Sequence, residues 1–251
     1  MWVALLPVAL FIRPLLFPYS MGSAMFKPSH ALSLLIAASV FSTALTPAQE
    51  KPSESQGLFA GSTDIGATQK GASAYNSKLG AYTITGGGAD MWGVADAFHL
   101  DWTKLSGDAS LTADVQFPSG KLAPLEKAVL IFRQSLDPDS AYADVAMHAD
   151  GHITLQWRTT AGGKTEDTTS TLRGANGFAR LRIERKGDQI TIYAGTSGDA
   201  LVPNPPVTVV LHGPVYVGLG VCAHDADGLA TVTFSNVKLT RAPSPAAPVS
   251  R

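Results

Sequence analysis

The feature that most constrains this chain is a repeating alternation of apolar and polar residues. Short alternating runs, separated by clusters of Gly, Asp, Asn and Pro, follow one another from Gly57 to Arg241. A period of two is typical of a half-buried β-strand, whereas an amphipathic helix repeats every three to four residues. Turn pairs such as Asp150-Gly151 stand where hairpins need them. The pattern predicts an all-β domain, built as a two-sheet antiparallel sandwich.

The beginning of the chain has a different composition. Residues 1–48 contain only two charged side chains, Arg13 and Lys27, and an apolar run from Ala31 to Val40 follows the second of them. A cation, a short apolar run and then small residues are typical of a secretory signal peptide. The run is shorter than the roughly 20 residues that cross a bilayer. A membrane-retained form through an uncleaved N-terminal segment remains the alternative.

These observations predict an exported chain, secreted or periplasmic, with one folded domain. The expected segments are a mis-called start or extra apolar segment at 1–24, a signal peptide at 25–48, a polar linker at 49–56, a jelly-roll sandwich at 57–241 and a disordered Pro/Ala tail at 242–251.

Charge and cysteine content exclude several classes of protein. The chain has 19 Lys and Arg against 20 Asp and Glu, and its cations form no cluster. A protein that binds nucleic acid through its phosphates needs a basic patch, so we expect no nucleic-acid partner. The single cysteine, Cys222, cannot form an internal disulfide. It also leaves too few thiols for the usual structural zinc sites.

The alternation divides the hairpin around Asp150-Gly151 into two faces. Because successive side chains point to opposite sides of a strand, one set faces the core and the other faces away. The predicted core set is Ala143, Val145, Met147, Ile153, Leu155 and Trp157. The opposite set is Tyr142, Asp144, His148, Thr154, Gln156 and Arg158.

A later strand, beginning at Val215, carries small residues on one side. Gly218 and Gly220 alternate with core-type residues and would leave room above the sheet. A polar, ring-bearing face beside such a space suits a sugar, because aromatic faces stack on its C–H surface and polar groups bind its hydroxyls. A simply solvated face is the alternative, since many antiparallel sheets have one polar side.

Three segments carry a resemblance to a known family: DMWGVADAFHLDW at 90–102, KAVLIFRQSLDPDSAYADVAMHADG at 127–151 and VGLGVCAHDADGLATVTFSN at 217–236. They resemble the concanavalin-A-like lectin/glucanase superfamily, in particular secreted bacterial domains found alone, beside TolB-like propellers or appended to glycoside hydrolases. The resemblance implies a two-sheet jelly roll with a concave face. The positions that it implies for that face are Trp92, Asp96, His99, Arg133, Gln134, Tyr142, His148 and His224.

The sequence lacks the usual signatures of an enzyme. Glucanases of this superfamily commonly use Glu-x-Asp-x-Glu, because a retaining mechanism needs two carboxylates about 5 to 5.5 Å apart. No Glu of the predicted mature chain has an acidic residue two positions away. There is no Gly-x-Ser-x-Gly elbow, and Cys222 lies in an apolar strand where a buried, inert thiol is expected.

Calcium is the cofactor that the sequence allows, although none is required. The loop from His224 to Gly228 offers two carboxylates, Asp225 and Asp227, and hard cations prefer such oxygen ligands. The complete Asp-x-Asp-x-Asp-Gly loop with its distal Glu is missing. We therefore name these two residues as the possible calcium site.

The sequence thus favours a secreted, noncatalytic binding module for a glycan or polysaccharide. One alternative is a glycoside hydrolase or lyase in which Asp144, His148 and His224 perform acid/base chemistry. Another is a structural domain that binds an envelope protein through the same face. The predicted ligand-binding residues are Trp92, His99, Arg133, Tyr142, Asp144, His148, Gln156, Arg158 and His224.

Overall fold

A computed structural model describes residues 57–119, 123–196 and 200–241. These residues all belong to the second of the chain's two compact units, Glu50–Arg251. The predicted signal peptide, linker and tail, and the segment expected at 1–24, lie outside the described residues. Within the described ranges, no helix has the length and apolar character needed to cross a membrane.

Every regular element of the described ranges is a β-strand, which confirms the all-β prediction. The strands are β1 (Gly61–Ile65), β2 (Ala72–Asn76), β3 (Ala81–Gly88), β4 (Met91–Trp92), β5 (Ala95–Asp96), β6 (Phe98–Leu105), β7 (Ala109–Gln116), β8 (Lys127–Arg133), β9 (Tyr142–His148), β10 (Ile153–Arg158), β11 (Glu166–Thr169), β12 (Phe178–Lys186), β13 (Gln189–Gly195), β14 (Val202–Pro203), β15 (Val207–Thr208), β16 (Val215–Cys222) and β17 (Asp225–Arg241).

Two large antiparallel sheets form the sandwich. Sheet A has the order β1-β6-β16-β8-β9-β10-β11, and sheet B has the order β14-β13-β12-β7-β17-β3-β2, with β15 paired to β13. Strands distant in sequence are neighbours in both sheets, since the chain crosses repeatedly from one sheet to the other. This arrangement confirms the predicted jelly-roll sandwich. A small hairpin of β4 and β5 pairs only with itself.

The main core lies between the two sheets, where alternate residues of each strand meet. The hairpin of β9 and β10 has the predicted facing: Val145 and Leu155 are fully buried in this core. Trp157 has the predicted direction but is only half-buried against the same cluster. Its removal should therefore cost less than the roughly 3 to 5 kcal/mol of a fully buried Trp.

A second apolar cluster covers part of the outer face of sheet A. It includes Met91 from the small hairpin, Phe98 and Val129. The space expected above Gly220 is filled by this cluster, because an added Cβ there would lie 2.8 Å from both Phe98 Cε2 and Val129 Cγ2. The prediction of an open groove above the β16 glycines is therefore wrong. These glycines allow close packing on a face that is partly apolar.

Candidate functional site

The nine predicted ligand-binding residues do not form one open surface. Eight are on or above the outer face of sheet A, and His99 is on its inner face. In β6, Trp102 pairs with Gly218 of β16 and so shares the outer face. His99, three residues away, has the opposite direction and lies between the two sheets. The resemblance implies the concave face for His99, but the structure places it on the inner face, because it pairs with the core residue Val221.

Arg133 and Arg158 lie on the predicted face but are fully buried. Both bind the carboxylate of Asp96, at 3.2 Å from Arg133 Nη1 to Oδ2 and 2.7 Å from Arg158 Nη2 to Oδ1. Asp96 belongs to the β4–β5 hairpin, so the two guanidinium groups fasten this hairpin over the sheet. Burial lowers the pKa of Arg133, and the charge of Asp96 opposes that change. Because their charges are paired with Asp96, these arginines hold the β4–β5 hairpin over sheet A.

Tyr142 and Asp144 occupy the same face and are also fully buried. Tyr142 Oη lies 3.2 Å from Thr165 Oγ1, and burial raises the pKa of Tyr142 well above its ordinary value. Burial likewise raises the pKa of Asp144 well above the usual range, although the charges of Lys127 and Arg133 oppose the rise. Neither carboxylate oxygen of Asp144 has a hydrogen-bonding partner among the described residues.

The remaining four predicted residues border one cleft of about 330 Å³. This volume is at the low end of the range for small-molecule sites, roughly 300–1,000 Å³. The cleft lies between the β4–β5 hairpin, the start of β8 and the strands β9 to β11. Its predicted members are Trp92, His148, Gln156 and His224. Alternation also places Thr154 on this face, and the members that sequence reasoning missed are Asp90, Leu125, Lys127, His152, Asp167 and Thr169.

Ion pairs organise one wall of the cleft. Lys127 Nζ lies 2.5 Å from Asp90 Oδ1, and His224 Nε2 lies 3.3 Å from Asp90 Oδ2. Lys127 Nζ is also 5.9 Å from the centroid of the Trp92 ring, within range of a cation–π interaction. His224 has a φ of 54°, an unusual conformation for a residue other than glycine. These contacts fix one side of the indole and leave Trp92 40% exposed.

The floor of the cleft contains buried polar atoms without partners. His148 Nδ1, Thr154 Oγ1 and Gln156 Oε1 have no hydrogen bond within the described ranges. Such atoms are rare in folded proteins, since each one costs free energy unless water or a ligand satisfies it. Burial lowers the pKa of His148 to about 4, so its imidazole is neutral near pH 7. The floor therefore presents neutral hydrogen-bonding groups beside an exposed aromatic ring.

The missed residue Lys127 had a signal in the sequence. The resemblance implies the concave face for Arg133, and Lys127 is six residues earlier on the same strand, so alternation gives it the same direction. Its neighbour across the strands is His148. Asp90 had no comparable signal, because it precedes the short β4 strand and reaches the cleft only through the way the hairpin folds back.

The possible calcium ligands lie at the start of β17. Asp225 Oδ1 accepts a hydrogen bond from the backbone N–H of Asp227 at 3.0 Å, as in an Asx turn. Among the described residues, no group of three or more His, Cys, Asp and Glu side chains is arranged to hold a metal ion. Calcium binding by these two residues stays a prediction.

Neither the protein-family models nor the curated proteins gave a match to this chain. A protein of unknown function from Saccharomyces cerevisiae has a similar structure, with a TM-score of 0.56 at 19% identity over 73% of this chain and 97% of that chain. The chain therefore shares the two-sheet β-sandwich fold of that protein. A weaker similarity is to the carbohydrate-binding module CBM66 from Bacillus subtilis, with a TM-score of 0.48 at 21% identity over 72% of this chain and 96% of that chain. Another is to a family 7 alginate lyase, with a TM-score of 0.45 at 10% identity over 68% of this chain and 83% of that chain.

Proposed function

We propose that this chain is an exported carbohydrate-binding module whose cleft beside Trp92 binds the ligand without catalysis. The observation that carries the proposal is the exposed indole next to three buried, unpartnered polar atoms, on His148, Thr154 and Gln156. A sugar ring matches this pair of features, because it offers an apolar C–H face for the indole and hydroxyls for the polar floor. Each hydroxyl can donate and accept, so it can satisfy any of the three atoms.

The charges in the cleft favour a neutral sugar. Lys127 is the only Lys or Arg among the described lining residues, and it is already paired with Asp90. Arg133 and Arg158 are closed off by Asp96. A uronate or sulfated sugar would therefore find no free cation, and its charge would lie near acidic side chains.

The position of Asp144 favours binding over acid/base chemistry. The hydrolase or lyase alternative requires this carboxyl to contact the substrate. The side chain is fully buried beneath the outer face and does not line the cleft. A raised pKa without access to substrate is the expected result of burial alone.

A glycan array with the purified protein, in the presence and absence of calcium, tests the proposal. We expect saturable binding to a neutral polysaccharide, and calorimetry should show that Trp92→Ala weakens it by about 10- to 100-fold. Val94→Ala is the matched control, because Val94 is 53% exposed on the same hairpin and does not line the cleft. Calcium-dependent binding that Asp225→Ala removes would support the predicted metal site.

Two results would contradict the proposal. Equal loss of affinity in the Trp92→Ala and Val94→Ala proteins would place the ligand elsewhere on the hairpin. Failure to bind any glycan, together with capture of an envelope protein that Trp92→Ala abolishes, would assign the cleft to protein interaction.

A further inference from the structure

A second polar cluster lies at one edge of the sandwich, on the opposite face of sheet A from the cleft. It joins β1 and β6 of sheet A to β2 of sheet B through hydrogen bonds between side chains. Its members are Ser62, Asp64, Ser73, His99 and Asp101.

The hydrogen bonds of this cluster define the tautomer of His99. Its Nδ1 atom lies 2.6 Å from Asp64 Oδ1, which also accepts a hydrogen bond from the backbone N–H of Gly71 at 3.0 Å. A carboxylate only accepts hydrogen bonds, so Nδ1 must carry the proton that it donates. In the neutral imidazole, the proton is then absent from Nε2, which presents a lone pair.

Two serine hydroxyls lie close to that lone pair, and that of Ser62 is the nearer. Ser73 Oγ is 3.2 Å from His99 Nε2 and donates its proton to Asp101 Oδ1 at 2.6 Å. Ser62 Oγ is 2.8 Å from Nε2, the shorter of the two contacts, and also lies within reach of the Asp101 carboxylate. The result is an aligned set of carboxylate, imidazole and hydroxyl, the arrangement that activates a serine nucleophile.

The surrounding chain makes room for this arrangement. A Cβ added at Gly71 would collide with the His99 ring, so the absence of a side chain there is required for the imidazole to fit. His99 is 4% exposed, whereas Ser62 is exposed. The buried base is thus shielded while the hydroxyl is accessible. β1 is the edge strand of sheet A, so Ser62 lies at the border of the sheet.

From this geometry we propose that Ser62 is a catalytic nucleophile for small acyl esters, with His99 as its general base and Asp64 as the positioning residue. Ser62 Oγ forms a bond to the acyl carbon while its proton passes to His99 Nε2. The ester C–O bond breaks, and the alcohol leaves with that proton. Water then attacks the acyl carbon and gives one proton to His99. The bond between that carbon and Ser62 Oγ breaks, the carboxylic acid leaves, and His99 returns the proton to Ser62 Oγ. This activity is independent of the cleft and goes beyond the proposed binding function.

The test uses the purified protein with p-nitrophenyl acetate and, separately, with a fluorophosphonate probe followed by peptide mapping. We expect hydrolysis above the rate of the unfolded protein, and a label on Ser62. Ser62→Ala should abolish the label and lower kcat/KM by more than about 1,000-fold. Asp64→Asn should lower kcat with little change in KM, since it orients the base without touching the substrate.

Ser77→Ala is the matched control, because it removes an exposed serine hydroxyl outside the cluster and should keep the rate within about threefold of the parent. Thermal unfolding of each variant shows whether the fold is retained. Hydrolysis or labelling that Ser62→Ala leaves unchanged would overturn the proposal. If the parent has no esterase activity and Ser62→Ala lowers its stability, the cluster is a structural link between the sheets. Neither result changes the glycan test, which depends on Trp92.

Discussion

At the scale of single residues, the most consequential group is the carboxylate of Asp96. It neutralises part of the charge of two fully buried guanidinium groups, Arg133 and Arg158. A buried cation without a partner is far more costly than a buried ion pair, so the loss of this one carboxylate affects both arginines. The same contact fixes the β4–β5 hairpin, which carries the cleft residue Trp92.

We expect Asp96→Ala to lower the free energy of unfolding by about 3 to 5 kcal/mol, because it leaves two buried cations unpaired. Urea unfolding measures this loss. Asp139→Ala removes an exposed carboxylate and should change stability by less than about 0.5 kcal/mol. Similar midpoints for the two variants would mean that Arg133 and Arg158 find other partners.

His148 predicts a dependence of stability on pH. Its folded pKa of about 4 lies below the ordinary value of 6.5, so between these values the unfolded chain binds the extra proton. The contribution of His148 is therefore fully present above about pH 6.5 and is lost as the pH falls towards 4. We expect the parent to lose on the order of 2 kcal/mol more than His148→Gln between pH 7 and pH 4.5.

The control for this measurement is His212→Gln, because His212 is exposed. That variant should keep the pH dependence of the parent. Parallel curves of stability against pH for the parent and His148→Gln would show that folding does not lower the pKa of His148.

At the scale of elements, alternation predicted the faces of β9 and β10 correctly. It was less informative for β6, where both faces are buried: Phe98 packs on the outer side and His99 lies between the sheets. A period of two separates the faces of a strand, but the direction of the core follows from the neighbouring strands. The β4–β5 hairpin is held by contacts of Asp96 with Arg133 and Arg158, which are 37 and 62 positions away in the sequence. A local sequence pattern could not reveal these contacts.

The facing of β10 has a direct test. Leu155→Ala should cost about 2 to 5 kcal/mol, since Leu155 is fully buried between the sheets. Leu79→Ala is the matched control, because Leu79 is 74% exposed and should contribute less than about 0.5 kcal/mol. Equal midpoints in urea would place Leu155 outside the core.

At the scale of the whole molecule, the reactivity of Cys222 reports whether the folded domain opens. It is the only cysteine of the chain, and its side chain is fully buried on β16 in the middle of sheet A. Burial raises the pKa of its thiol to about 12, so both access and thiolate formation are suppressed in the folded protein.

We expect no reaction of Cys222 with a disulfide reagent within an hour at pH 8, and one reactive thiol per chain in strong denaturant. The destabilised Leu155→Ala protein should react at least tenfold faster, because opening of the fold limits access. Reaction of the parent within minutes would mean that β16 separates from β6 or β8 without global unfolding.

The strand order also determines when the protein can assemble. β16 lies between β6 and β8 in sheet A, and β17 lies between β7 and β3 in sheet B. These central strands are the last two elements of the described chain to leave the ribosome. Until they emerge, each sheet consists of separate halves with bare edges. Neither sheet can therefore be completed before the final strands are made, and we expect both sheets to close together at that point.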